Sequence, residues 1–130
     1  MFLSYEANGM VEGAEQKDFV AWFRAEYPEY AKCLRVSLRG LNFGSGRRAA
    51  QMINHIKSQG SVEGESDLVI LLKRGDYGCL VIEHKGEGMT HEVTKKQGEY
   101  LAVHNSLGNL AVSTRGIREL KSVVKEYLES

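Results

Sequence analysis

The residues best suited to chemistry lie in GESDLVILLKRGDYGCLVIEHKG, positions 64 to 86, where two apolar runs flank a polar turn. Asp67 opens the first run, and Glu83, His84 and Lys85 close the second. Side chains alternate faces along a strand, so Glu83 and Lys85 share one face about 7 Å apart, while Ile82 and His84 point the other way. With a turn at Gly75 and Asp76, Asp67 falls opposite the Glu83–His84 region, roughly one strand spacing of 4.8 Å away. Two carboxylates that close repel, and a carboxyl pKa rises unless a cation separates them. A hard divalent ion such as Mg²⁺ is the usual solution. A lone E-x-K reads as a surface ion pair. Here both runs are otherwise apolar, so the charges sit where burial is costly without a use, and Gln97 follows in the first turn of the next helical segment. As a strand-end residue, Lys85 is expected near solvent.

The surrounding segments must place these side chains. Glu12 to Ala25 carries Phe19, Val20, Trp22 and Phe23 at helical spacing, and Tyr27-Pro28 closes it. Leu34 to Leu38 alternates as a short strand does. Arg47 to Gln59 is helical through Ala49, Met52, Ile53 and Ile56 until Gly60. Asp67 to Leu72 and Cys79 to Lys85 form an antiparallel hairpin around KRGDYG. Thr94 is a natural N-cap for a helix reaching Leu107, stopped by Gly108-Asn109. Leu110 to Ser113 is a short strand, and Gly116 to Leu128 is a closing amphipathic helix. The order α-β-α-β-β-α-β-α implies an α/β fold, a mixed sheet flanked by helices, in a single domain over 1–130.

At 130 residues, 42% hydrophobic and 26% charged with one proline, the composition suits one globular domain. The first ten residues lack the basic flank and apolar stretch of a signal peptide, and no apolar run reaches the roughly 18 to 20 residues of a membrane span. A soluble, cytoplasmic protein is expected. Cys33 and Cys79 form no C-x-x-C pair and read as buried, reduced thiols. His55, His84, His91 and His104 match no ligand spacing, and His91 reads as a loop residue.

Net charge is zero, yet Ala31 to Val62 contains no acid and six cations: Lys32, Arg35, Arg39, Arg47, Arg48 and Lys57. Such segregation lets a neutral protein attract a polyanion, and it equally describes a solvated basic face. Arg47 and Arg48 follow Gly44-Ser45-Gly46 at a helix start, a place suited to a phosphate. GSGRRA also satisfies the dinucleotide pattern G-x-G-x-x-A. The paired arginines, the short chain and the unexplained hairpin acids speak against a nucleotide cofactor.

Together these residues resemble the PD-(D/E)XK nuclease superfamily, most closely its VRR-NUC branch of small phage and bacterial nucleases. Glu12 and Glu15 through Tyr27-Pro28 are similar to that family's first helix, and Gly60 with Gly64-Glu65-Ser66-Asp67-Leu68 to its G-x-x-x-G-x-P-D-L signature. Ile82-Glu83-His84-Lys85 matches I-E-x-K, and Lys96-Gln97 with Tyr100 the Q-x-x-Y helix. Ser66 stands where the family has proline, and two acids, Glu12 and Glu15, compete for the first-helix role.

The resemblance implies a restriction-endonuclease-like fold and Mg²⁺- or Mn²⁺-dependent hydrolysis of DNA phosphodiester bonds. Asp67, Glu83 and the backbone carbonyl of His84 would hold the metal, with Glu12, or alternatively Glu15, completing the shell. Lys85 would orient and help deprotonate the attacking water, and Gln97 would steady Lys85 or the phosphate. DNA contacts are expected from Arg47, Arg48, Arg39, Arg35, Lys57, Lys96 and Tyr100, although Tyr100 fits a core-edge aromatic equally well. No base-reading motif is visible, so structure-directed cleavage of junctions, flaps or ends is expected. Acting on two strands favours a homodimer, in the cytoplasm of a bacterial host if the chain is phage-encoded. The alternative is a non-catalytic nucleic-acid-binding module on a nuclease-like fold.

Overall fold

The computed structural model describes residues 5–37, 45–88 and 92–130, with side chains described from Gly13 onward. Its elements run α1 (Tyr5–Glu26), a 3₁₀ helix (Pro28–Cys33), β1 (Leu34–Val36), α2 (Arg47–Ser58), β2 (Leu68–Ile70), β3 (Leu80–Lys85), α3 (Lys95–Ser106), β4 (Leu110–Arg115) and α4 (Ile117–Glu129). This is the order the sequence predicts, with shifted bounds: β2 stops at Ile70 short of the expected Leu72, and β4 runs past the expected Ser113 to Arg115. Helix α1 begins at Tyr5, ahead of the expected Glu12, and Pro28 opens a 3₁₀ helix where the pattern suggested only a stop. Proline suits that position because its fixed φ is already helical and its missing N–H would have no partner there.

The four strands form one sheet in the order β1-β2-β3-β4. β1–β2 and β2–β3 pair antiparallel, and β3–β4 pair parallel. A parallel pair needs a crossover, which α3 provides. Because β1, β2 and β3 are antiparallel, the sheet lacks the parallel doubly wound context that would make GSGRRA a dinucleotide site. The β2–β3 hairpin closes through an Arg74–Tyr77 bridge, with Gly75 at φ 54° in the left-handed region that the turn requires.

One face of the sheet is covered by α1 and α4. Leu68, Ile70, Leu80 and Ile82 are buried against Phe19, Phe23, Leu120, Val124 and Tyr127. Each large aliphatic side chain buried this way contributes about 1.5–3 kcal/mol. The Tyr127 hydroxyl donates to the Leu72 carbonyl at 2.6 Å, tying the end of α4 to the hairpin. On the other face, α3 lies over β3 and β4. Asn105 Nδ2 donates to the Ala111 carbonyl at 3.0 Å, and its Oδ1 accepts the Ala111 N–H at 2.9 Å. Helix α2 buries only Ala49 and Ile56. Cys33 and Cys79 are free thiols, half-buried rather than buried, with burial pushing the Cys79 thiol up. Among the described residues no helix is long and apolar enough to cross a membrane.

Candidate active site

The register Leu68↔Ile82 carries Asp67, the residue before β2, to the position opposite Glu83. Alternation then places Asp67, Glu83 and Lys85 on the α3 side of the sheet, away from the apolar core. Asp67 is held from two directions. Its Oδ2 accepts the His84 N–H at 2.8 Å, and its carbonyl accepts the Ser37 N–H at 2.9 Å. Upstream, Gly64 sits at φ 82°, where a Cβ would fall 2.6 Å from the Lys96 backbone. Only glycine lets the Asp67 segment come this close to α3.

Glu83 is 2% exposed and Lys85 4%. The expectation of a solvent-near Lys85 is therefore corrected. β3 is a central strand overlain by α3, so its last residues are as covered as its middle. Glu83 Oε1 lies 3.6 Å from Lys85 Nζ, too long for a hydrogen bond, and Glu83 Oε2 is buried with no hydrogen-bond partner. Burial first, and the Asp67 carboxylate second, push the Glu83 carboxyl up to about 8, with the Lys85 ammonium pulling the other way. This is no surface ion pair.

The Lys85 ammonium donates to Gln97 Oε1 at 3.1 Å. That oxygen also accepts the Thr94 N–H at 2.9 Å, while Thr94 Oγ1 accepts the Gln97 N–H at 3.2 Å, a capping box that opens α3. The box fixes which end of the Gln97 amide faces Lys85. The T-x-x-Q spacing is legible in sequence. The double use of one oxygen depends on the strand beside it.

The other expected site residues divide by face. Glu15 is not brought to the Asp67–Glu83 pair. Helix α1 lies on the opposite side of the sheet, where Glu15 Oε1 sits 2.7 Å from His84 Nε2. Glu12 is on α1, and its side chain lies outside the described residues, as do Arg39 and His91. Arg35, paired with Val69, is on the face that carries the carboxylates. Arg47, Arg48, Lys57 and Lys96 are exposed. Tyr100 is half-buried with its ring 4.7 Å from that of His104, and burial raises its hydroxyl pKa, surroundings that suit the core-edge reading. Thr114, whose hydroxyl meets the His84 ring, left no signal in the sequence.

The oxygen set fits a hard divalent ion. Asp67 and Glu83 face each other, one Glu83 oxygen is buried without a hydrogen-bond partner, and burial together with the Asp67 carboxylate raises the Glu83 carboxyl, a cost that a divalent cation between the two would relieve. The N–H and C=O of one strand residue point to the same edge, so the His84 carbonyl faces the Asp67 side. Among the described residues no three His, Cys, Asp or Glu side chains gather.

No family model matches the sequence, and no curated protein matches it. Among solved structures, the chain is similar to a VRR_NUC domain protein at 24% identity and a TM-score of 0.74, over 92% of this chain and 88% of that one. The mixed sheet, its flanking helices and this likeness together establish that the chain has a VRR-NUC nuclease-like fold.

Proposed function

We propose that the chain is a divalent-metal-dependent nuclease that hydrolyses DNA phosphodiester bonds, directed by DNA structure rather than sequence. The observation that carries this reading is Glu83, buried with one oxygen lacking a hydrogen-bond partner, facing the half-buried Asp67 beside an ammonium oriented by Gln97. Asp67, Glu83 and the His84 carbonyl would hold Mg²⁺ or Mn²⁺, with Glu12 of α1 as the first-helix acid. The bound ion supplies the Lewis acid that offsets charge on the phosphoryl oxygens. Lys85 has three N–H donors: one goes to Gln97 and one faces Glu83, which leaves one for the attacking water or a phosphate oxygen.

The backbone of DNA is held by exposed cations. Arg47 and Arg48 open α2, whose N-cap Gly46 offers no side-chain acceptor, so the first backbone N–H groups are suited to a phosphate. Arg35, Lys57 and Lys96 extend the basic surface, and Arg39 belongs to the same acid-free segment. A homodimer would present two such sites to two strands. The cytoplasm, of a bacterial host if the chain is phage-encoded, offers the substrate.

The test is to incubate the protein with Mg²⁺ or Mn²⁺ and labelled linear, flapped and four-way DNA, with sedimentation to read its assembly. Cleavage that prefers branched or ended substrates is the expected result. A protein that binds these DNAs but cuts neither DNA nor RNA with any divalent ion is a nucleic-acid-binding module instead.

A further inference from the structure

On the side of β3 turned away from the carboxylates, polar groups from three elements meet inside the apolar layer. The His84 ring is 2% exposed. Its Nδ1 lies 2.8 Å from Thr114 Oγ1 of β4, and its Nε2 lies 2.7 Å from Glu15 Oε1 of α1. A carboxylate only accepts, so Nε2 carries a hydrogen and donates to Glu15, and the Thr114 hydroxyl completes Nδ1. The second Glu15 oxygen accepts the Glu87 N–H at 2.9 Å, two residues beyond β3. One carboxylate thus pins the strand end at two points, His84 and Glu87.

Packing alone does not require this. Ile82 and Leu80 fill the same face with aliphatic carbon, and a buried polar cluster costs desolvation that an apolar replacement avoids. Hydrogen bonds add direction, which aliphatic contacts lack. A ring held at both nitrogens sets the rotamer and backbone of His84, the residue whose N–H meets Asp67 and whose neighbours are Glu83 and Lys85.

We infer that Glu15, His84 and Thr114 are positioning residues that set the end of β3 from behind, so that the His84 carbonyl and the Glu83 carboxylate hold the geometry a divalent ion requires, and that Glu15 is not itself a metal ligand. The purpose of this clamp rests on the nuclease reading, but its consequences can be measured without cleavage.

The experiment is Mn²⁺ calorimetry on full-length variants whose folding is checked by thermal melting. Glu15→Gln keeps an acceptor for the His84 ring and is expected to bind Mn²⁺ within about threefold of wild type, whereas Glu15→Ala loses about tenfold or more, the scale on which supporting residues act. Amide exchange at Glu87 should quicken in both variants, because the Gln amide has one acceptor oxygen and cannot take both the His84 ring and the Glu87 N–H, whereas exchange of Glu83 to Lys85 should quicken in Glu15→Ala alone. Should Glu15→Ala fail to fold, the near-isosteric Thr114→Val is expected to weaken Mn²⁺ binding and Thr114→Ser to restore it. Glu15→Gln losing Mn²⁺ as completely as Asp67→Ala would make Glu15 a ligand and overturn the inference. So would wild-type affinity in Glu15→Ala or in Thr114→Val. A wild type that binds Mn²⁺ yet cuts nothing overturns the nuclease reading alone.

Discussion

Gln97 Oε1 lies 3.1 Å from Lys85 Nζ and 2.9 Å from the backbone nitrogen of Thr94, so a single oxygen both closes the first turn of α3 and holds the ammonium of the candidate site. The ammonium is therefore placed by a rigid helix start rather than by a free side chain. Lys85→Met keeps the buried stem and removes the ammonium, both its charge and its N–H donors. It is expected to lower single-turnover cleavage at saturating Mg²⁺ by on the order of 10² or more, with DNA affinity in Ca²⁺ near wild type. Lys85→Ala also removes the cation that opposes the Asp67–Glu83 repulsion, so it is expected to push the Glu83 carboxyl further up and to lower the melting temperature. Wild-type cleavage rates in Lys85→Met would show that the site is wrongly drawn.

Asp67 serves as a carboxylate toward Glu83 and as an acceptor for the His84 N–H. Its replacement by alanine is expected to reduce Mn²⁺ affinity by more than the ~10–100-fold that a supporting residue contributes. Calorimetry giving equal Mn²⁺ affinity in Asp67→Ala and wild type would remove the metal from this pair.

Burial and the Asp67 carboxylate push the Glu83 carboxyl up to about 8 in the fold, from an ordinary value of 4.5. A carboxyl raised in the folded state favours folding in its protonated form. Its contribution is complete below pH 4.5 and is lost as pH rises through 8. Metal-free protein should accordingly lose melting temperature across that window, and Glu83→Gln, which cannot ionise, should flatten the loss. Mn²⁺ needs the carboxylate, so its affinity should climb over the same range with release of a proton. A pH-independent Mn²⁺ affinity between 5 and 8 would contradict the buried, protonated Glu83.

Arg47 and Arg48 project from the start of α2, which buries only Ala49 and Ile56. Replacing both arginines by alanine should weaken DNA binding in Ca²⁺ and leave the fold intact. Each lost phosphate contact removes about 0.9 from the slope of log K against log salt. An unchanged slope would route the DNA elsewhere.

Local patterns carried most of the architecture. Alternation in LVIEHK, the turn at Gly75-Asp76 and the Thr94 cap all follow from short-range chemistry, and the strands, hairpin and helix start stand where those signals put them. The juxtaposition of Asp67 with Glu83 was legible for the same reason, because one hairpin register decides it. What escaped depends on layers. The depth of Lys85 comes from α3 lying over a central strand, and the meeting of Glu15 with His84 comes from α1 docking on the far face, from 69 residues away. No window of sequence contains those contacts.

The alternation that assigns Glu83 and Lys85 to one face and Leu80, Ile82 and His84 to the other has a consequence for how β2 and β3 find each other. A slip of one residue would turn both charges into the layer of Phe19, Phe23 and Leu120 and expel Ile82. The charged pair thus acts as an alignment key: misregistered pairings are penalised before any ligand arrives. Replacing Glu83 and Lys85 together by aliphatic residues would leave His84 as the polar residue of β3, and its alignment with β2 would rest on the turn and on the bonds His84 makes to Asp67, Glu15 and Thr114.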